Sequence, residues 1–244
     1  MDTEKQCAKI VNWLKDQVRL SGGDGGVFGL SGGIDSSVVA GLCTRAFGQN
    51  CLGVIMPCFS QEIDARHGEL VAKTFDLPYV TVPLDETYRA LLAAMDVQEG
   101  AQNHCNLALA NIKPRLRMTV LYYYAAIRHY RVIGTGNKSE IYIGYFTKFG
   151  DGGVDLEPLG ELTKAEVKQL AGYLGVPREI INKKPTAGLW EGQTDEDEMG
   201  FSYADLDGFL AGKPVEPDVE ERIKKLHAQS HHKRTGPPIF QKKA

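Results

Sequence analysis

The stretch Gly29-Leu30-Ser31-Gly32-Gly33-Ile34-Asp35-Ser36-Ser37 constrains this chain more than any other. It ends a short apolar run, Val27 to Leu30, and opens a segment of helical composition, Ser36 to Phe47. A strand that passes through glycines straight into a helix brings backbone N–H groups and a positive helix end to one point. In an open α/β sheet that point lies beyond the carboxyl ends of the strands, where ligands bind. Ser31, Ser36 and Ser37 add hydroxyl donors. Asp35 alone repels phosphate, so it reads as a ligand for Mg²⁺ bridging to phosphates. The loop has neither the spacing and lysine of a Walker A loop nor a GxGxxG fingerprint. The ordinary alternative is a helix N-cap after a glycine turn, with Asp35 merely favouring the helix dipole. Strand, SGGxDS and helix together fit that alternative rarely.

The rest of the chain supplies the sheet around this loop. Cys7, Ile10, Val11, Leu14 and Val18 recur at helical spacing, and Gly22, Gly23, Gly25 and Gly26 are expected to break that first helix. Strands are expected at Val27 to Leu30, Cys51 to Met56, Tyr79 to Val82 and Tyr130 to Ile133, with one more short strand in the glycine-rich stretch from Phe146 to Gly160. Helices are expected at Glu62 to Phe75, Leu84 to Met95 and about Asn106 to His129, where Pro114 starts a new helix or kinks the old one. Thr163, followed three residues later by Glu166, makes a capping box for a helix to Leu174. Two more helices are expected, Tyr203 to Leu210 and Pro217 to Ala228. This alternation predicts an α/β fold, a doubly wound, mostly parallel sheet of about five strands flanked by helices.

Composition removes several classes of function. A chain of 244 residues, 43% hydrophobic, suits one globular domain with a sizeable core. Net charge of -3 lacks the basic footprint of a nucleic-acid binder, and no apolar run approaches a membrane span. The segment Met1 to Lys15 has no signal-peptide core, so a cytoplasmic protein is expected. Cys7, Cys43, Cys51, Cys58 and Cys105 form no CxxC pair and read as reduced, mostly buried thiols.

Gly29 to Ser36 resembles the signature loop of the ATP pyrophosphatases, which cleave ATP between the α- and β-phosphates and leave AMP on a carbonyl-type oxygen. Further segments resemble the ammonia-dependent NAD synthetases: Asn111-Ile112-Lys113-Pro114-Arg115, the turn Gly134 to Glu140, the loop Phe146 to Asp155, Pro158-Leu159 with Leu162-Thr163-Lys164, Pro185 to Glu196, and His232-Lys233-Arg234. The resemblance runs from about Val27 to Arg234. It implies an adenine nucleotide alpha hydrolase-like fold and a single synthetase domain over residues 1–244 without a glutaminase domain. It implies ATP as co-substrate, held by Gly29, Leu30, Ser31, Gly32, Gly33, Ile34, Asp35 and Ser36 together with Thr135, Lys164 and Thr186. Asp35 and Glu140 would hold Mg²⁺. Arg115, Lys148, Asp155, His232 and Lys233 would contact deamido-NAD, and a homodimer with sites near its interface follows from the same resemblance. The chain departs from the family in one place. Many bacterial members read GTDHAAE where this one has Gly134-Thr135-Gly136-Asn137-Lys138-Ser139-Glu140, so the middle of the turn receives no role from the resemblance.

The expected chemistry is adenylation of the nicotinate carboxylate followed by attack of ammonia. Asp35, Lys164 and Asp155 are the expected catalytic groups, with Asp155 or Asp151 as the carboxylate assisting ammonia. A glutamine-using form needs a nucleophilic cysteine in an amidase domain, for which the synthetase segments leave no room, so ammonia is the expected direct donor. Isolated residues have ordinary readings beside these. Arg115 and Lys148 out of context are solvated charges, Asp195 to Glu198 is a solvated acidic turn before a helix, and Trp13 and Trp190 are packing residues. His227, His231 and His232 suit anion contact better than a metal. Tyr122-Tyr123-Tyr124 span too wide an arc for one buried helix face, and the excess reads as a partner surface. The rivals are a GMP synthetase-like ATP pyrophosphatase, which lacks the segments Asn111 to Arg115 and Pro185 to Glu196, and a non-catalytic nucleotide sensor, which has no need of both Asp35 and Glu140.

Overall fold

Helix α1 (Thr3–Leu20) forms on the predicted stripe, with Cys7, Ile10, Val11, Leu14 and Val18 buried and Asp2 capping Lys5 N. Gly25 and Gly26, expected to break it, belong instead to strand β1 (Gly25–Gly29). A Cβ on Gly25 would stand 1.8 Å from Asn50 O, so only glycine allows the neighbouring strand its approach. The other elements are α2 (Ile34–Phe47), β2 (Cys51–Ile55), α3 (Glu62–Thr74), β3 (Tyr79–Thr81), α4 (Asp85–Ala94), α5 (Asn106–Ala110), α6 (Ile112–Arg128), β4 (Tyr130–Val132), α7 (Lys138–Ile143), α8 (Lys164–Leu174), α9 (Arg178–Ile181), α10 (Asp195–Met199), α11 (Tyr203–Leu210), α12 (Pro217–Gln229) and α13 (His231–Arg234). This computed structural model describes residues 2–95, 106–186 and 194–242. Cys105 and Trp190 lie outside the described residues, as does most of the Pro185 to Glu196 segment.

The strands are all parallel, in the order β3-β2-β1-β4, with Val27 of β1 beside Leu52 on one side and Val132 on the other. The expected count of five is corrected to four among the described residues. The stretch after residue 146 contributes a single parallel bridge, Leu156 to Ile133. A fifth strand fails for local reasons. The Asp155 carboxylate takes the Val132 N–H at 2.8 Å, occupying a ladder position with a side chain, and Pro158 brings no donor.

Alternation along the strands sends residues to both faces. Phe28, Leu30, Cys51, Ile55 and Ile133 pack with α1, α2, α3 and α8, while Val27, Leu52, Val54, Met56 and Val132 pack with α4 and α6. The sheet is therefore covered on both sides, as a doubly wound sheet must be. A smaller cluster of Ile143, Met199, Phe201, Leu206 and Ile223 ties α7, α10, α11 and α12 together. The chain runs outward from β1 to β2 and β3 and then crosses back to β4 on the other side of β1, so the order reverses there and a crevice opens at the carboxyl ends of β1 and β4. Cys7, Cys43, Cys51 and Cys58 are buried free thiols, as expected. Trp13 is not a core residue: it is 39% exposed on α1. Among the described residues no helix is long and apolar enough to cross a membrane.

Candidate active site

The loop leaving β1 is wound by its own hydroxyls. Ser31 Oγ accepts the Gly33 N–H at 3.2 Å and lies 3.0 Å from Ser36 Oγ, which donates to Gly33 O at 3.0 Å. Ser37 Oγ donates to the same carbonyl at 2.6 Å. Gly32 has φ +74°, and a Cβ there would stand 2.3 Å from Asp64 O, so the turn requires glycine twice over. The result aims the first turn of α2 at the crevice. The N–H groups of Ile34, Asp35 and Ser36 stand at its start, where a helix has no internal acceptors.

Three elements bring charge to that turn. Asp35 comes from α2, Glu140 from α7 and Lys164 from the first position of α8. Lys164 Nζ lies 2.7 Å from Asp35 Oδ2 and 2.9 Å from Glu140 Oε1, and its side chain is only 4% exposed. Burial alone would push the Lys164 ammonium down, but Asp35 and Glu140 more than offset this and hold it raised. Burial pushes Glu140 up, against the pull of Lys164 and with the push of Asp35, to about 7. Tyr203 Oη donates to Glu140 Oε1 at 3.2 Å and lies 2.9 Å from Asp195 Oδ2, and Lys164 Nζ sits 4.8 Å from the Tyr203 ring centroid. Tyr145 Oη lies 3.2 Å from Asp195 Oδ1 and 2.7 Å from Glu198 Oε2. The acidic run at 195–198 forms the short helix α10 rather than a turn; Glu196, Asp197 and Glu198 are exposed, as expected, whereas Asp195 is buried against two tyrosines. Around these groups lies a cleft of about 620 Å³, lined among others by Gly29, Ser31, Asp35, Thr135, Glu140, Lys164 and Thr186.

The cleft thus presents the free N–H groups of a helix start beside a charge-paired lysine. Comparison with known proteins agrees in kind: residues 6–237 match the family model described as NAD synthase. The chain belongs to the NAD synthase family. The NH(3)-dependent NAD(+) synthetase of Carboxydothermus hydrogenoformans is 50% identical over 238 residues, covering 97% of this chain and 97% of that one. The solved NMN synthetase of Francisella tularensis is 40% identical, with a TM-score of 0.93 over 98% of this chain and 99% of that one. The NH3-dependent NAD synthetase of Campylobacter jejuni, solved with nitrate ion, is 29% identical, with a TM-score of 0.82 over 99% and 100%.

Of the residues expected to hold ATP, all but Gly32 line the cleft, and those expected to hold the acceptor divide. Lys233 lines the cleft and donates to Gly144 O and Phe146 O, each at 2.7 Å. Arg115, Lys148 and His232 gather outside the lining: Arg115 Nη2 donates to Lys148 O at 3.4 Å, and Lys148 Nζ donates to His232 O at 2.5 Å. Asp155 stands apart from the cleft, accepting from Tyr122 Oη at 3.0 Å, whereas Asp151 does line it. His227 stacks on Tyr142 with ring centroids 4.1 Å apart.

Several groups escaped the sequence reading. Arg117, two residues from Arg115, lines the cleft and donates to Met56 O at 3.1 Å and Ser60 Oγ at 3.2 Å. Lys183 and Asp64 line it as a 2.6 Å ion pair. Glu157 lies beneath Gly134 and Gly136 at an annex of about 230 Å³, with its Oε2 buried and without a hydrogen-bond partner. None belongs to a motif, so only the fold reveals them. Asn137 did carry a signal, since Asn137 and Glu140 stand at capping-box spacing.

Proposed function

We propose that this chain amidates deamido-NAD with ammonia, using ATP and releasing AMP and pyrophosphate. NAD as product and ammonia as donor come from the names of the family and of its full-length relatives, and deamido-NAD is the carboxylic acid whose amidation gives NAD. The observation that carries the chemistry is the Asp35–Lys164–Glu140 cluster at the start of α2. Such an arrangement suits displacement at a phosphate, which demands positioning and charge neutralisation more than a nucleophilic side chain.

A nicotinate carboxylate oxygen attacks the α-phosphorus, the bond to the bridging β-phosphate oxygen breaks, and pyrophosphate leaves. The α2 N–H groups and Lys164 stabilise the negative charge that gathers on it. Ammonia then adds its lone pair to the acyl carbon, the C–O bond to AMP breaks, and one proton leaves the nitrogen. Asp151, which lines the cleft, is the carboxylate suited to receive it. Asp35 and Glu140 are hard oxygen donors, two in number, as suits a Mg²⁺ ion that completes its shell with water and phosphate. Those two residues would hold it, and when bound it supplies charge neutralisation on the triphosphate. Thr135 and Thr186 are the further ATP contacts of this reading, and Arg115, Lys148, Asp155, His232 and Lys233 the acceptor contacts. We read the working form as a homodimer, supported by the exposed Tyr123 and Ile127 on α6.

One observation supports a second acceptor. A solved NMN synthetase matches this chain over almost the whole of both. By the same amidation, the acceptor would then be the acid form of the mononucleotide. The assay offers ATP and Mg²⁺ with either acid, and ammonium or glutamine as donor. The first reading expects NAD, AMP and pyrophosphate from deamido-NAD with ammonium. A higher kcat/KM for the mononucleotide acid would transfer the assignment to the second reading. No nucleotide conversion in any tube would overturn both.

A further inference from the structure

The turn between β4 and α7 contains a wholly buried amide, Asn137. Its Nδ2 donates to Asp35 Oδ1 at 2.9 Å. Its Oδ1 accepts the Glu140 N–H at 3.0 Å, and its own backbone N–H donates to Glu140 Oε2 at 3.3 Å. Lys164 Nζ meets the other oxygen of each carboxylate, Asp35 Oδ2 and Glu140 Oε1. Asn137, Asp35, Lys164 and Glu140 therefore close a ring in which each carboxylate is gripped from two sides.

The two grips differ in kind. Lys164 is a long, charged arm on α8, suited to turn toward a phosphate. Asn137 is short, neutral and locked, since the same side chain is the cap of α7. Its contacts with Asp35 and Glu140 do not run through Lys164. Being neutral, it orients two carboxylates without competing for a cation between them. Asn137 is itself shielded from solvent, so loss of the Nδ2 donor removes the hydrogen bond that fixes Asp35 Oδ1.

We infer that Asn137 is the positioning residue for the Asp35–Glu140 pair, fixing the rotamer of Asp35 through its side-chain amide and the approach of Glu140 through its cap of α7 and its backbone N–H. The inference rests on the proposal that this pair holds the divalent cation that accompanies ATP. It gives the middle of the Gly134 to Glu140 turn a task.

The test uses Mn²⁺ as the probe, titrated by electron paramagnetic resonance into the full chain with ATP. Asn137→Ser keeps a good helix cap but is too short to reach Asp35. Its Mn²⁺ dissociation constant is expected to rise about 10-fold and its kcat to fall about 10- to 100-fold, the scale for outer partners of metal ligands. KM for deamido-NAD stays within about twofold, a split that a general loosening of the fold would not give. Asn137→Asp, of the same shape, turns an oxygen toward Asp35 and is expected to lose kcat similarly; it carries the test if the serine variant does not fold. Parent-like Mn²⁺ binding and kcat in the variant that folds would overturn the inference, as would a fall in kcat with unchanged Mn²⁺ affinity in Asn137→Ser. If the parent makes no NAD, the proposed function fails, while the Mn²⁺ titration still reads the role of Asn137.

Discussion

Lys164 is buried and charged only because two carboxylates face it, and that makes it the residue whose removal tells most. Lys164→Met leaves Asp35 and Glu140 confronting each other. Turnover is expected to fall by about 10²-fold or more, since the charge that meets the departing pyrophosphate is gone. A buried pair broken on one side also costs stability, on the order of 3 kcal/mol. That cost depends on pH. Without Lys164 the Glu140 carboxyl rises above its present value of about 7, so it is protonated at pH 6 and the repulsion vanishes. Melting curves of Lys164→Met are therefore expected to lie nearest the parent at pH 6 and to fall away from it as pH rises above the parent's Glu140 value of about 7. Glu157 offers a second reading of the same physics. Burial, then the charges of Asp151 and Glu140, push it from 4.5 to about 8, against a Gly136 N–H. A carboxyl raised in the folded state holds its proton there and releases it when unfolded, so its contribution is full at low pH and is lost as pH rises through about 8. Glu157→Gln is expected to melt like the parent near pH 5 and above it at pH 9. Parallel curves across that range would refute the shift.

At the scale of elements, what the sequence disclosed depended on length and on caps. Helix α8 was legible because Thr163 and Glu166 form a capping box with both bonds present and an apolar stripe follows. The α2 start was legible because its glycines admit a single kind of turn. Helices α7, α9, α10 and α13 were not, because four to six residues hold too little periodicity to register. The fifth strand was read from apolar residues between glycines, but a side-chain carboxylate holds the position a strand would need. In the site, most motif residues expected to hold ATP line the cleft, while Arg117, Lys183 and Glu157 gave no signal in the sequence, since distant segments and not spacing bring them to the cleft and its annex. Elements also transmit precision to the site. Lys164 is the first residue of α8, directly after the Thr163 cap, and its backbone N–H donates to Ser139 Oγ at 3.1 Å. Thr163→Ala is expected to cost about 1 kcal/mol of stability. It is also expected to lower kcat, because fraying moves the lysine; a stable loss with unchanged kcat in chemical denaturation and kinetic assays would show that Lys164 is held by its ion pairs alone.

The whole molecule raises the question of where the acceptor lies. All but one of the groups expected to hold ATP line the cleft, but Arg115, Lys148 and His232 meet outside its lining, and Asp155 is bound to Tyr122 on α6. Arg115 and Tyr122 are seven residues apart, two helical turns, so they share one face of α6. Beside that face stand Tyr123, 60% exposed, and Ile127, 57% exposed. Singly exposed apolar residues are ordinary, but these adjoin a row of polar groups that face no partner site within the cleft. A homodimer formed across α6 would cover the apolar residues and complete the acceptor site with the same stroke. The double variant Tyr123→Glu with Ile127→Glu places charge at the centre of such a contact without touching the cleft. In sedimentation equilibrium the parent is expected to have twice the chain mass and the variant one chain mass. The variant's KM for deamido-NAD is expected to rise at least about 10-fold, while its binding of ATP is expected to stay close to the parent's. A parent of single chain mass, or a monomeric variant with unchanged KM, would place the acceptor site within one chain and leave the α6 face without a role in it.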